Sequence, residues 1–179
     1  MSVSEAGESS NTQKFSFQEK LIEGEKAEQF IATCLSSLGK VHIVRDMMFQ
    51  RLGIDAFIQS ARYGLTSVQF KQCKLAKRTE NAFIEVSIHN EADEQTARGW
   101  AYKTTANNIA YWAAGTGRIF IIDTLAMKRR LPDWTRLYPL RKGYSEENGR
   151  RWSAGGRCVP LKIVEKEVCS DVLIVEENE

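Results

Sequence analysis

The residues Ile54-Asp55-Ala56-Phe57-Ile58-Gln59, the turn Arg62-Tyr63-Gly64 and Leu65-Thr66-Ser67-Val68-Gln69-Phe70-Lys71-Gln72 decide how this chain is read. Both arms are rich in β-branched and aromatic residues, and the turn ends on glycine, so two strands joined as a hairpin are predicted. Alternation puts Ser67, Gln69 and Lys71 on one face of the second strand and Val68 and Phe70 on the other. Asp55 stands in an otherwise apolar run, where Asp is disfavoured. The hairpin can therefore bring Asp55 beside Gln69 and Lys71. A surface hairpin with one polar face would account for Gln69 and Lys71, but not for Asp55 together with the inward Glu28 of the preceding helix.

Upstream, Leu21, Gly24, Glu28, Ile31, Leu35 and Leu38 recur at spacings of three and four, which predicts a helix over Ser16–Gly39 with Gly39 as its stop. Glu28 falls on that stripe, so its carboxylate is expected to point toward the sheet. A buried carboxylate is costly unless a cation or metal pairs with it. Pairing with an arginine, or a place at the edge of the stripe, would be the purely structural explanation. Further strands are predicted at Val41–Arg45, Ala82–Ile88 and Arg118–Asp123. A polar loop is expected over Asn90–Gly99, a helix over Thr104–Ala114 ended by Gly115 and Gly117, and a helix from Leu125 interrupted by Pro132. Leu161–Cys169 and Asp171–Glu176 alternate as an edge hairpin would. The elements imply an α/β or α+β domain around one central sheet.

Three short motifs in this order resemble the PD-(D/E)XK nuclease superfamily, particularly its Holliday-junction-resolvase-like and phage-encoded members. They are Gly24-Glu25-Lys26-Ala27-Glu28, Gly53-Ile54-Asp55 and Val68-Gln69-Phe70-Lys71. The segments Asn81–Glu85, Gly99–Lys103 and Ala110–Trp112 are similar to stretches that follow the catalytic strand in phage members. The resemblance covers about Glu25 to Asp123. It implies a restriction-endonuclease-like core, a central mixed sheet flanked by helices in the order α-β-β-β-α-β, with a C-terminal extension. It also implies a DNA endonuclease that uses Mg²⁺, with Mn²⁺ as a substitute. Asp55, Gln69 and Glu28 would hold the metal together with the backbone carbonyl of Phe70, and Lys71 would assist the water or the phosphate. Gln69 departs from the commonest pattern, which has Glu or Asp there. At about 4 Å and an effective dielectric near 20, one unit charge is worth roughly 4 kcal/mol before desolvation, so the site starts with weaker metal binding. The alternative is a non-catalytic nucleic-acid-binding or assembly subunit that retains the fold.

The 179 residues are one domain's worth, with a leader over Met1–Lys14, a core over Phe15–Met127 and an extension over Lys128–Glu179 packed on the same domain. Met1 to about Asn11 is small and polar and reads as disordered. The composition is 42% hydrophobic and 27% charged, which excludes wholesale disorder. No apolar run is long enough for a membrane span, and the first residues lack a signal-peptide core. Cys34, Cys73, Cys158 and Cys169 show no paired zinc spacing, so a reduced, cytoplasmic protein is expected. The net charge of +2 conceals an uneven distribution: Lys128–Lys162 has ten basic and three acidic residues, and Ile163–Glu179 has one and six. The basic stretch also carries Trp134, Tyr138, Tyr144 and Trp152. Arginines interleaved with aromatics suit nucleic acid, and a solvated basic face balancing the acidic tail suits them equally. The DNA-contact candidates are Lys74, Lys77, Arg78, Lys103, Lys128, Arg129, Arg130, Arg136, Arg150 and Arg151. Asn107, Asn108 and Tyr111 are placed on or near the second helix, with Asn108 and Tyr111 sharing a face. Glu85 could approach the acidic cluster from the fourth strand or simply be solvated. Symmetric cutting of two strands would call for a homodimer.

Overall fold

The computed structural model describes residues 17–62, 64–147 and 150–177, so the expected leader and Tyr63 of the predicted turn lie outside it. Helix α1 (Phe17–Leu35) leads into β1 (Lys40–Ile43), a short α2 (Met47–Arg51), β2 (Ala56–Ser60) and β3 (Gly64–Cys73). The three strands form an antiparallel meander in which Ala56 lies between Ile43 and Val68. After α3 (Ala76–Thr79), β4 (Asn81–His89), β5 (Gln95–Arg98) and α4 (Trp100–Lys103), β6 (Asn108–Ala113) returns parallel to β3. There follow β7 (Arg118–Asp123), α5 (Thr124–Leu137), β8 (Leu140–Glu147), β9 (Arg150–Pro160), α6 (Leu161–Val168) and β10 (Cys169–Ile174). The chain is thus α/β. A mixed six-stranded sheet, β1-β2-β3-β6-β7-β10, is joined by a second, antiparallel sheet, β5-β4-β9-β8.

Several expectations are corrected. The predicted helix over Thr104–Ala114 is the strand β6, running down the middle of the large sheet between β3 and β7. Ile109, Ala110, Tyr111 and Ala113 are all buried, so both faces are covered and the apolar run shows no period of two. Asn108 and Tyr111 consequently lie on opposite faces rather than one. Leu161–Val168 is a helix, because Leu161, Val164 and Val168 bury one side at spacings of three and four. α5 is continuous through Pro132, which sits on the exposed side where the lost backbone hydrogen bond costs least. The loop over Asn90–Gly99 contains β5, and β4 pairs with β9 in the second sheet instead of joining one central sheet.

Two cores result. Ile31, Ala32 and Leu35 of α1 pack on Ala56, Ile58, Val68, Phe70, Ala110, Ile119 and Ile121, one face of the large sheet. Burying Leu35 or Ile31 fully is worth roughly 1.5–3 kcal/mol each. The opposite face, with Cys73, Ile109, Tyr111, Phe120 and Ile122, meets α5, α6 and β4. Residues beyond Lys128 therefore build both layers: β10 extends the large sheet beside β7, and β8 and β9 supply half of the small one. Among the described residues no helix is long and apolar enough to cross a membrane.

Candidate active site

β2 ends where β3 does not. Their register runs from Ser60–Gly64 to Ala56–Val68, after which β3 continues for five residues and the other chain turns away through Asp55, Ile54 and Gly53. A fork opens at that point. The Asp55 backbone N–H still reaches the Val68 carbonyl at 2.9 Å, and the first N–H freed beyond it, that of Phe70, donates to Asp55 Oδ2 at 2.7 Å. The carboxylate thus closes the fork. By register Asp55 faces Gln69, as the alternation predicts, and both lie with Lys71 on the side away from α1.

Gln69 is 6% exposed, and its Oε1 is buried without a hydrogen-bond partner. An unsatisfied buried acceptor costs about 1–3 kcal/mol, which a cation or donor ligand would relieve. The amide packs under Gly53, whose φ of +70° favours glycine and where a Cβ would lie 2.9 Å from Gln69 Nε2. Thr104, 1% exposed, holds that turn by donating from Oγ1 to the Gly53 carbonyl at 3.2 Å.

Lys71 places its Nζ 5.8 Å from the centre of the Trp100 ring. Burial pushes its ammonium below the ordinary lysine range; the carboxylates of Asp55, Glu85 and Glu28 oppose this, and Lys103 adds to it. Glu85, half-buried on β4, accepts the Trp100 backbone N–H at 3.1 Å. Asp55, Glu85 and Glu28 thus all attract this one half-buried lysine. Because the penalty attaches to the charged form, Lys71→Met is expected to raise the melting temperature at pH 7. The gain should fade as the pH rises through about 10.4, where the unfolded lysine also loses its proton. Thermal melts at the two pH values check this; a lower melting temperature at pH 7 would mean that the ammonium's attraction to the carboxylates outweighs its desolvation.

Glu28 is less inward than its place in the sequence suggests. The buried stripe of α1 runs through Ala27, Ile31, Ala32 and Leu35, with Gly24 exposed, and Glu28 stands at the stripe's edge. Its Oε2 accepts from Arg45 Nη1 at 2.9 Å, with the two side chains 33% and 59% exposed. Such a pair is worth about 0–1 kcal/mol, little enough for a ligand to break. Among the described residues, no three His, Cys, Asp or Glu side chains converge to hold a metal by themselves. The available donors are instead a mixed oxygen set: the Asp55 carboxylate, the Gln69 amide oxygen, the Phe70 carbonyl and, if it leaves Arg45, Glu28. Hard oxygens of this kind suit Mg²⁺, which retains several waters, and the orphaned Gln69 oxygen fits such an ion.

The proposed DNA contacts fall into distinct settings. Lys77, Arg78, Lys103 and Arg129 are exposed. Lys74 pairs with Glu23 at 2.5 Å. Lys128 Nζ donates to the Thr104 carbonyl at 2.7 Å, bracing the loop beside Gln69. Arg130 is engaged by Glu167 and Asp133, and Arg136 also meets Asp133. Arg151 is exposed and its backbone N–H donates to Glu91; Arg150 opens β9, and its side chain is outside the described set. Trp134, 1% exposed, belongs to the core and cannot stack on a base, whereas Tyr144 is 80% exposed. Asn107 Oδ1 accepts from the Ser67 N–H and hydroxyl, Asn108 donates to Thr66, and the buried Tyr111 hydroxyl accepts the Phe83 N–H. All three tie strands together. Arg45 and Thr104 carry no sequence signal for the site, and Trp100 carries one only through the Gly99–Lys103 segment. Comparison with known proteins returns no match among family models, curated proteins or solved structures.

Proposed function

We propose that the chain is a metal-dependent DNA endonuclease on a restriction-endonuclease-like fold, a member of the PD-(D/E)XK superfamily. The observation that carries this is the fork, where Asp55 opposes a Gln69 with an unpartnered buried oxygen, and Lys71 follows two residues later with a desolvated ammonium. Asp55, Gln69, the Phe70 carbonyl and Glu28 would hold Mg²⁺ or Mn²⁺. When bound, the ion lowers the pKa of a water and withdraws charge from the phosphate. Asp55 is fixed by the Phe70 N–H and needs no rearrangement to present its second oxygen. Lys71, half-buried, would direct a cation at the charge developing on the phosphate. Glu85 and Trp100 bound the lysine's position. The exposed Lys77, Arg78, Lys103 and Arg129 would track the DNA backbone. Two protomers would cut the two strands, in a reducing, cytoplasmic compartment where Cys34, Cys73, Cys158 and Cys169 stay free as they stand here.

Purified protein is expected to nick or cut at least one of supercoiled, linear, single-stranded or four-way DNA with Mg²⁺ and none with EDTA. Lys71→Ala should remove that activity, and light scattering of the DNA complex should show two protomers. DNA binding without cleavage on every substrate, and without metal uptake by calorimetry, would exclude the enzyme and leave a binding subunit.

A further inference from the structure

Helix α4 is a single turn fixed rigidly beside the fork. At its start, a Cβ on Gly99 would collide with the Glu85 carbonyl, so only glycine lets the chain pass this close to β4. The Gly99 N–H donates to the Val86 carbonyl at 2.9 Å and the Trp100 N–H to Glu85 Oε1 at 3.1 Å. At its end, Thr104 is 1% exposed and its carbonyl accepts from Lys128 Nζ. Ala101 is fully buried between these two anchors. At about 100° of turn per residue, an inward Ala101 leaves Lys103 pointing outward, with Trp100 and Tyr102 on its flanks.

Each of the two rings has a cation over it. Lys71 Nζ lies 5.8 Å from the centre of the Trp100 ring, and Arg98 Cζ of β5 lies 5.7 Å from that of Tyr102. Lys103 stands between the two pairs, near enough for its charge to push the Lys71 ammonium down. Trp100 is half-buried, whereas Tyr102, Arg98 and Lys103 are exposed. The row therefore runs Lys71, Trp100, Lys103, Tyr102, Arg98, from the lysine of the fork out to solvent. Its links are two ring–cation contacts and the single turn of helix between them. Cations alternating with aromatic rings are the means by which proteins hold single strands, the cations pairing with phosphates and the rings stacking on bases. A duplex cannot use such rings as it stands, because each base is covered by its neighbours and drawing one out costs unstacking energy.

We infer that α4 and Arg98 form a track for an unpaired DNA strand, with a base stacked on the Tyr102 ring and Lys103 on the backbone phosphate. This rests on the DNA-binding part of the proposed function, not on cleavage, and it narrows the substrate class. The strand at the fork has unpaired bases beside the phosphate that Lys71 faces. Because α4 is held at both ends, the ring is in place before the strand arrives, and little ordering is lost on binding.

The test is fluorescence anisotropy in EDTA with the full chain, comparing a labelled single strand with the duplex made from it, and a thermal melt of each variant. Wild type should bind the single strand more tightly. Tyr102→Ala should weaken single-strand binding by about five- to 150-fold, the worth of one base–aromatic stack, and leave the duplex affinity unchanged. Tyr102→Leu keeps the apolar bulk without the ring face and should lose as much, which separates stacking from packing. Tyr102→Phe keeps the ring and should match wild type. Lys103→Met should lower the salt slope on the single strand by about 0.7, one phosphate, whereas Tyr102→Ala leaves the slope as it is. Preference of wild type for the duplex overturns the track. So does single-strand affinity that Tyr102→Ala and Tyr102→Leu leave unchanged, or an equal loss on both forms of DNA. A loss by Tyr102→Phe as large as that by Tyr102→Ala also overturns it, since the hydroxyl would then be the contact. If the track fails while Mg²⁺-dependent cleavage is present, the nuclease reading stands alone. The expected strand preference without cleavage keeps the track and removes the enzyme. Absence of DNA binding by every form overturns both.

Discussion

Asp55→Asn is expected to leave the chain folded and to reduce Mg²⁺-dependent cleavage by on the order of 10²–10³-fold, the scale seen when one preorganised charge-stabilising group is removed. The substitution is chosen for what it keeps. An asparagine oxygen can still accept the Phe70 N–H that Asp55 Oδ2 now accepts at 2.7 Å, so the end of β2 stays fastened to β3. Alanine would strand that N–H on a residue only 5% exposed, at a cost of about 1–3 kcal/mol, and would confuse lost chemistry with lost structure. What asparagine removes is the charge. Gln69 is already neutral and Glu28 is held by Arg45, so Asp55 supplies the least encumbered carboxylate at the fork. At about 4 Å and an effective dielectric near 20, its attraction for one unit of cation charge is roughly 4 kcal/mol before desolvation. Single-turnover nicking of supercoiled plasmid, with a thermal melt beside it, reads both parts. Cleavage within tenfold of wild type would remove Asp55 from the metal site and end the reading built on it.

The fork was legible because its cause is local. The arms around Arg62-Tyr63-Gly64 alternate, and opposition of Asp55 to Gln69 follows from counting back from the turn. The strand Arg118–Asp123 is found at its predicted limits, since a short β-branched run between a glycine and a capping aspartate admits few alternatives. The errors arise where burial erases periodicity or creates it. Asn108–Ala113 is covered on both faces, so its apolar residues follow no period, and the glycines after it imitate a helix stop. Leu161–Val168 has its buried residues at helical spacing, but Ile163 packs partly on the same core and makes the run resemble an alternating strand. The site beyond the fork was less legible for a different reason. Arg45 reaches Glu28 across 17 residues, and Trp100, whose N–H the expected Glu85 accepts, comes from a part of the chain whose separate sheet no local pattern announces. The basic stretch shows the limit most directly: total charge could not separate Arg129, which is exposed, from Arg130, which is spoken for.

Arg130, Trp134 and Glu167 are expected to govern stability rather than DNA affinity, and Glu167→Ala should show it. Glu167 on α6 accepts from Arg130 Nε at 2.9 Å and from Trp134 Nε1 at 3.0 Å, joining α6 to α5. Trp134 is 1% exposed, so losing its acceptor strands a buried N–H at about 1–3 kcal/mol. For a chain of this size each kcal/mol is about 2–4 °C in melting temperature, and the expected fall is therefore several degrees. A Trp134→Phe background isolates the cause. Phenylalanine has no N–H to strand, so Glu167→Ala should cost less there, and the difference is the coupling between the two residues. The pH dependence has a definite sign. The Arg130 hydrogen bond, helped by that of Trp134 and opposed by burial, holds the Glu167 carboxyl below its ordinary range. Its contribution is therefore complete above the unfolded value of about 4.3 and is lost as the pH falls through the lower folded value. The gap between wild type and Glu167→Ala should be constant near neutrality and close in acid. Arg130→Ala should likewise lower the melting temperature while leaving the salt slope of DNA binding unchanged. A slope reduced by about one phosphate at an unchanged melting temperature would return Arg130 to the DNA surface.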